Sequence, residues 1–423
     1  MIRKLCTKIP QVILLKINDT ISKFNKQAIR NFCKLQHCPH EHKNQIMTLS
    51  RRNFIKTLSS CVIGSGLVSC THKKFFNPDE DIVLSGGSFN KNNKIQNCLV
   101  IINLTQQQKR IINTPFLPHG INIDPNNKYH IFCFEKNGDN ACEIDLQTQT
   151  IIRNLHSENN QLFSGHANFS QDGKNIYCIE KNINTNQGAI SVRDTKTFKT
   201  SRQLPTLGLQ PHDCNVSTDN KLTASNTGQS ESGFHKPSLV VIDLNTEKLV
   251  ERIKLDNDTL NCAHFKMQND GNLIIASAPI NTQNESLLGG VSIRINNEFI
   301  STMAEPAVVI ERMKGEALSI ETNQQKTITA ITHPQANMLT FWSINNKKII
   351  KAYGFENPRG LCLTLDKKYF VVSYGNKPAM ARISTKDLTP QTDSIVQPTL
   401  TTGEHILNWS VTLRKIMPTR VYG

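Results

Sequence analysis

Between Ile82 and Leu413 the chain repeats one arrangement of apolar and polar positions. Each unit opens on a short apolar segment that runs into a turn rich in Asp, Asn and Gly: DPNN at 124–127, SQDG at 170–173, STDN at 217–220, QNDG at 268–271. Less polar versions, ETNQ at 321–324 and LDKK at 365–368, hold the same place further on. A second apolar run follows, such as YHIFCF at 129–134, NIYCIE at 175–180 or LIIASA at 273–278. After a loop comes a third (ACEIDL at 141–146, AISVRD at 189–194, SLVVIDL at 238–244, MLTFWSI at 338–344), then a polar turn and a fourth. Runs this short, bounded by turn residues and rich in branched and aromatic side chains, read as strands. Four hairpin-linked strands per unit make one blade of a β-propeller.

Aligned by this grammar, the units start at His119, His166, His212, His264, Glu316, Arg359 and His405, at intervals of 43 to 52 residues. That is the period of a propeller blade. Six intervals give six complete blades. The seventh is expected from both termini, with 82–118 supplying its outer strands and 405–413 its innermost one, so that no strand edge is left bare. The expectation is an all-β chain with a seven-bladed β-propeller over residues 82–417. Six or eight blades, or a repeated β-sandwich, are the competing readings.

The innermost strand of a blade lines the central channel, so equivalent positions point toward one axis. Five of the seven are histidine, out of 13 in the whole chain. Three accounts compete. Imidazole is a neutral nitrogen ligand near neutral pH, and His119, His166, His212, His264 and His405, with Asp213 beside them, suit a transition metal such as Fe, Cu or Zn in the central funnel. Arg359 and protonated histidine suit an anion. Histidines at blade starts also brace neighbouring backbones. A hydrolase would use Glu316 or His212 as general base and Arg359 to stabilise charge on oxygen. His333, in ITHPQANMLTFW, stands at a strand end and is a candidate for the funnel opening. No GxSxG, HExxH or P-loop sequence is present.

The net charge of +15 raises a nucleic-acid reading, but its distribution removes it. Residues 1–70 hold 12 Lys/Arg against 2 Asp/Glu, whereas 71–423 hold 37 against 32. The body has no arginine-rich helix and no basic–aromatic run, so no nucleic-acid partner is expected. The basic start contains SRRNFIK from Ser50, with Arg51 and Arg52 matching a twin-arginine export signature. A weakly apolar run, too short to span a bilayer, leads to Leu67-Val68-Ser69-Cys70, which resembles a lipoprotein box with Cys70 as the lipid anchor. Met47 directly precedes this signal, so 47–70 reads as the twin-arginine/lipoprotein signal. Residues 1–46 then read as a mispredicted or extended N-terminus, and 71–81 as a tether. Thr71 after the anchor points to the outer membrane of a Gram-negative cell, on the periplasmic side. The seven cysteines from Cys98 to Cys362 form no CxxC pair and sit in apolar segments, as small hydrophobic core residues do.

The segments GHANFSQDGKNIYCIEKN, GLQPHDCNV, LTASNTG, KPSLVVIDL and ITHPQANMLTFW resemble the DUF1513 family of bacterial propeller-like proteins, many with export signals. The resemblance covers about residues 82–410. Its GHG-like, GPHE-like and RHLA-like segments match His166, Pro211-His212 and His264. Asp213 replaces the family's Glu, and Cys262-Ala263-His264 lacks its Arg. The resemblance implies a role near iron or other metal handling, beside periplasmic iron-uptake or redox proteins. A lipid-anchored binding or assembly module is therefore expected, with a lactonase-like hydrolase and a structural interaction scaffold as alternatives.

Overall fold

The structure is a computed structural model, which describes residues 75–417 apart from 231, 232, 235, 269 and 281–286. The chain divides into Met1–His72 and Lys73–Gly423, and only the second is described here. The readings placed on Arg51, Arg52, Cys70 and the rest of 1–74 lie outside the described residues.

Seven four-stranded antiparallel sheets follow one another, the blades of a seven-bladed β-propeller. Blade 1 joins Ile82–Lys91, Lys94–Asn103 and Gln108–Thr114 to Ile406–Asn408 from the other end of the chain. Blades 2 to 7 begin with inner strands Gly120–Asp124, Gln161–Phe169, Pro211–Val216, His264–Met267, Ile320–Thr322 and Leu361–Leu363. The sequence pattern sorts the strands by depth. Continuous apolar runs become middle strands buried on both faces, as in Leu273–Ser277. Alternating runs become outer strands with one wet face, as in Lys348–Gly354. The core lies between neighbouring blades: one cluster packs Ile190 and Val192 of blade 3 against Leu222 and Val240 of blade 4.

The turn grammar has a backbone cause. Gly173 and Gly271 take φ of 68° and 83°, the left-handed conformation that glycine adopts without steric cost. Asn220, Lys326 and Lys367 hold the equivalent turns at φ of 57–59°.

Closure is as expected in kind and shorter in extent. Val83, Leu84 and Ser85 pair with Asn408, Leu407 and Ile406. The strand was expected to run to Leu413, but it ends at Asn408, whose side chain accepts the Val411 N–H and caps a helix, Trp409–Ile416. The cap wins because it satisfies a free helical N–H, and the helix then turns Trp409 and Leu413 into the blade 1–2 core. The tether ends earlier than expected. Phe75 is buried in the same core, and Glu80 accepts from Asn103. From residue 75 the chain is therefore part of the folded body. All seven cysteines from Cys98 to Cys362 are buried and free, as core residues. Among the described residues no helix is long and apolar enough to cross a membrane.

Candidate functional site

His119, His166, His212, His264 and His405 come from blades 2, 3, 4, 5 and 1; four lie at or beside the start of the inner strand, and His166 lies within Gln161–Phe169, where the register shifts between Phe163 and Ala167. They meet at the axis. Around the circle, ring centroids are 4.7 Å apart for His405–His119, 4.7 Å for His119–His166, 5.2 Å for His166–His212 and 4.4 Å for His212–His264. His264 and His405 close it at 4.8 Å. One ring nitrogen from each of His119, His166, His212 and His264 lies within 4.8 Å of all the others.

Blades 6 and 7 take no part in this circle. The register explains Glu316. The Leu318 N–H donates to Thr332 O as Arg359 N–H donates to Ser373 O and His119 N–H to Phe134 O. Leu318 therefore holds the column position of blade 6, and Glu316 lies two residues before it. Glu316 falls on the ring only if the blade starts two residues early, because the column position itself carries an apolar side chain. Burial, and then Glu404, push the Glu316 carboxyl up. Arg359 holds its column position, but its guanidinium makes no hydrogen bond or ion pair among the described residues; it acts on Glu404 and His405 through its charge alone. His333 is wholly buried inside blade 6, bonded to Thr340, and does not face the funnel. His235 lies outside the described residues.

All five ring histidines are neutral near pH 7. Burial holds His119, His166, His212 and His264 well below 6.5, and neighbouring imidazoles and Lys136 add to it. Burial brings His405 down to about 4, partly opposed by Glu404. A neutral imidazole is the form that ligates metal.

Two carboxylates stand behind the circle. Glu404 Oε2 lies 3.3 Å from His119 Nδ1, and Asp213 Oδ1 lies 3.4 Å from His166 Nδ1. Burial favours the neutral acid of Glu404, but Lys136, 2.6 Å from its Oε2, outweighs that and keeps the carboxyl below its usual value. Burial pushes Asp213 up to about 7, against N–H donors from Cys214 and Phe265. A carboxylate beside Nδ1 favours the tautomer with its proton on Nδ1. With Asp213 ionised, both Nε2 lone pairs then face inward, and these two atoms are 3.0 Å apart. His212 Nε2 and His264 Nε2 are likewise 2.9 Å apart. With that tautomer the His119 and His166 lone pairs repel unless a cation sits against both. At metal–nitrogen distances of about 2.0–2.1 Å, ligands at a right angle are about 2.9 Å apart, so each pair matches one edge of a coordination sphere.

Sequence reasoning missed Glu404, Lys136 and Ser319, whose Oγ lies 3.3 Å from His405 Nδ1. Lys136 was findable: FEKN at 134–137 repeats as IEKN at 179–182, one blade on.

The depressed histidines make the ring acid-labile. As pH falls below about 6.5, the unfolded chain binds protons that the folded ring refuses, so stability falls, down to about pH 4 where His405 titrates. Asp213 works in the opposite sense between 3.8 and about 7, because its folded form retains a proton that the unfolded chain has lost. Five imidazoles outweigh one carboxyl. Thermal unfolding of metal-free protein is expected at clearly lower temperature at about pH 5 than at about pH 7.5, with the difference reduced in His212→Ala. An unchanged midpoint would contradict the neutral, buried ring.

A seven-bladed propeller with a histidine-lined axis defines the class of protein. The chain belongs to the family described as protein of unknown function (DUF1513), whose family model matches residues 112–407. That span contains every ring histidine. No curated protein matches the sequence. Among solved structures, hydrazine synthase of Kuenenia stuttgartiensis is similar at 14% identity and a TM-score of 0.56, covering 76% of this chain and 99% of that one. A dihydro-heme d1 dehydrogenase in complex with DHE is similar at 12% identity and a TM-score of 0.54, covering 84% and 80%. A hypothetical selenium-binding protein of Sulfolobus tokodaii is similar at 11% identity and a TM-score of 0.55, covering 79% and 92%. Likeness at this identity shows the shared propeller fold alone.

Proposed function

We propose that this chain is a lipid-anchored binding module that holds a transition-metal ion on the histidine circle at the propeller axis. The observation that carries the reading is the inward set of neutral Nε2 atoms, with two pairs at 2.9–3.0 Å and carboxylates behind His119 and His166. An all-imidazole set suits Cu, Zn or Fe. The proposal places the module on the periplasmic side, tethered through Cys70 to the outer membrane after export on Arg51 and Arg52, beside iron-uptake or redox partners. Cys70→Ala is expected to move the protein from the membrane fraction to the soluble periplasmic fraction. Retention in the membrane fraction would contradict the anchor.

A second reading has its own observation: both Nε2–Nε2 contacts cross a blade boundary, so as hydrogen bonds they would brace blade 2 to 3 and blade 4 to 5. Elemental analysis of protein exported in its native host, with titration of Cu²⁺ and Zn²⁺ into stripped protein, separates the two. Metal binding predicts about one ion per chain and a raised unfolding temperature. Bracing predicts no ion and no shift. The hydrolase reading loses support because Glu316, its candidate base, lies two residues before the column position that Leu318 holds.

A further inference from the structure

The geometry points to a binding pocket for a small protic ligand, water or a molecule of comparable size, on the open face of the ring ion, with Asn122 as its hydrogen-bond acceptor. The inference rests on the metal reading above and adds a ligand to it.

A pocket of about 130 Å³ opens beside the circle, lined by His119, His166, His405, Asn122, Ala167 and Leu407 among others. Here ring imidazoles and apolar side chains share a wall with a side-chain amide. Asn122 sits in the inner strand of blade 2, and its Nδ2 donates to Ala167 O on blade 3 at 2.7 Å. That bond fixes which way the amide faces and commits its nitrogen. Oδ1 is left buried with no partner among the described residues. A buried acceptor without a donor is costly, and such groups in native proteins mark a water or ligand that belongs there. His405 Nε2, on the same wall, is also buried without a partner among the described residues, while its Nδ1 is engaged with Ser319.

The two orphans ask for complementary things. Nε2 offers a lone pair to an ion. Asn122 Oδ1 asks for a proton donor, which water becomes more strongly once an ion polarises it. Structural sites fill every coordination position with protein, whereas sites with an open position keep water or substrate there. The pocket has room for water or a small protic molecule. The class is thus water, hydroxide or a small protic molecule that donates to the amide while bound to the ion. The ring then becomes a centre at which the ion can exchange a ligand.

The test loads the stripped full chain with one equivalent of Cu²⁺ and records pulsed electron paramagnetic resonance in H₂O and D₂O. A strongly coupled exchangeable proton, lost in D₂O, is expected in the wild type. Asn122→Leu, which removes the acceptor, and Ala167→Ile, which fills the pocket and leaves the amide in place, are each expected to abolish that coupling. Both should still bind one ion with affinity within about threefold of wild type. Two variants with different chemistry guard against one misfolding. Ion uptake without an exchangeable proton, or with a coupling that survives in both variants, overturns the pocket while leaving the metal reading intact. Failure to take up the ion overturns both.

Discussion

Replacing His119 and His166 together by alanine is expected to lower affinity for Cu²⁺ or Zn²⁺ by about 100-fold or more. Outer groups that merely orient a metal-bound histidine are worth about 10- to 100-fold, and this double variant removes two ligands outright. It also removes a contact between blades 2 and 3 at the axis, 3.0 Å from Nε2 to Nε2. The two accounts of the ring therefore diverge. If the histidines ligate, affinity collapses while the metal-free protein stays folded, because two imidazoles held far below their usual pKa values are no longer kept from solvent. If they only brace, the metal-free protein loses stability and no affinity exists to lose. Glu404→Gln should sit between: it keeps the shape behind His119 Nδ1 and removes the charge, for a loss of about 10-fold or somewhat more. Glu316→Gln should leave affinity as it is, since Glu316 lies off the column. Calorimetric titration of the four proteins gives the comparison.

Replacing Trp409 by alanine is expected to destabilise the fold by about 3–5 kcal/mol, the range for deleting a buried large aromatic side chain. Trp409 is fully buried, with its ring 5.8 Å from Phe76 and 5.9 Å from Tyr129. Its indole N–H donates to Lys128 O at 2.7 Å. It begins the helix that follows the closing strand, so it ties the C-terminal end of blade 1 to blade 2. Only three residues of that strand pair with Ile82–Lys91, too few to hold the ring shut without this anchor. Trp409→Phe keeps most of the apolar area and loses the hydrogen bond, for a cost of about 1–3 kcal/mol. Urea unfolding measures both. Equal midpoints for Trp409→Ala and wild type would show that closure does not depend on the helix. His405 directly precedes the closing strand, so the alanine variant should also weaken metal binding, in proportion to the loosened strand.

The propeller was legible because its signal is summed over many units. Apolar runs of strand length, repeated at blade spacing with polar turns that take a positive φ at Gly173, Asn220, Gly271, Lys326 and Lys367, leave little room for another architecture. The boundaries were less legible. The segment HILNWSVTL reads as one strand by apolar content, yet Asn408 stops it, because a capping side chain competes with the ladder for the same backbone and local sequence does not say which wins. Six of the seven positions fall on the column, Arg359 and the five histidines, the latter because histidine is rare enough for a column of it to stand out. Glu316 was misplaced by two residues because blade 6 has an apolar residue, Leu318, at the column, and nothing polar marks the register there. Glu404 and Lys136 escaped notice because their roles arise from meeting across the closure, 268 positions apart in the chain. Asn122 gave no signal at all, since an orphaned acceptor is visible only when its neighbours are in place.

The most direct test of the central claim is a crystal structure of the stripped chain reloaded with Cu²⁺, with data collected at the copper edge. The account predicts one anomalous peak on the propeller axis, about 2.0–2.1 Å from Nε2 of His119 and His166. A fully loaded crystal with no peak inside the histidine circle, or with copper bound only at surface histidines such as His156, would contradict it.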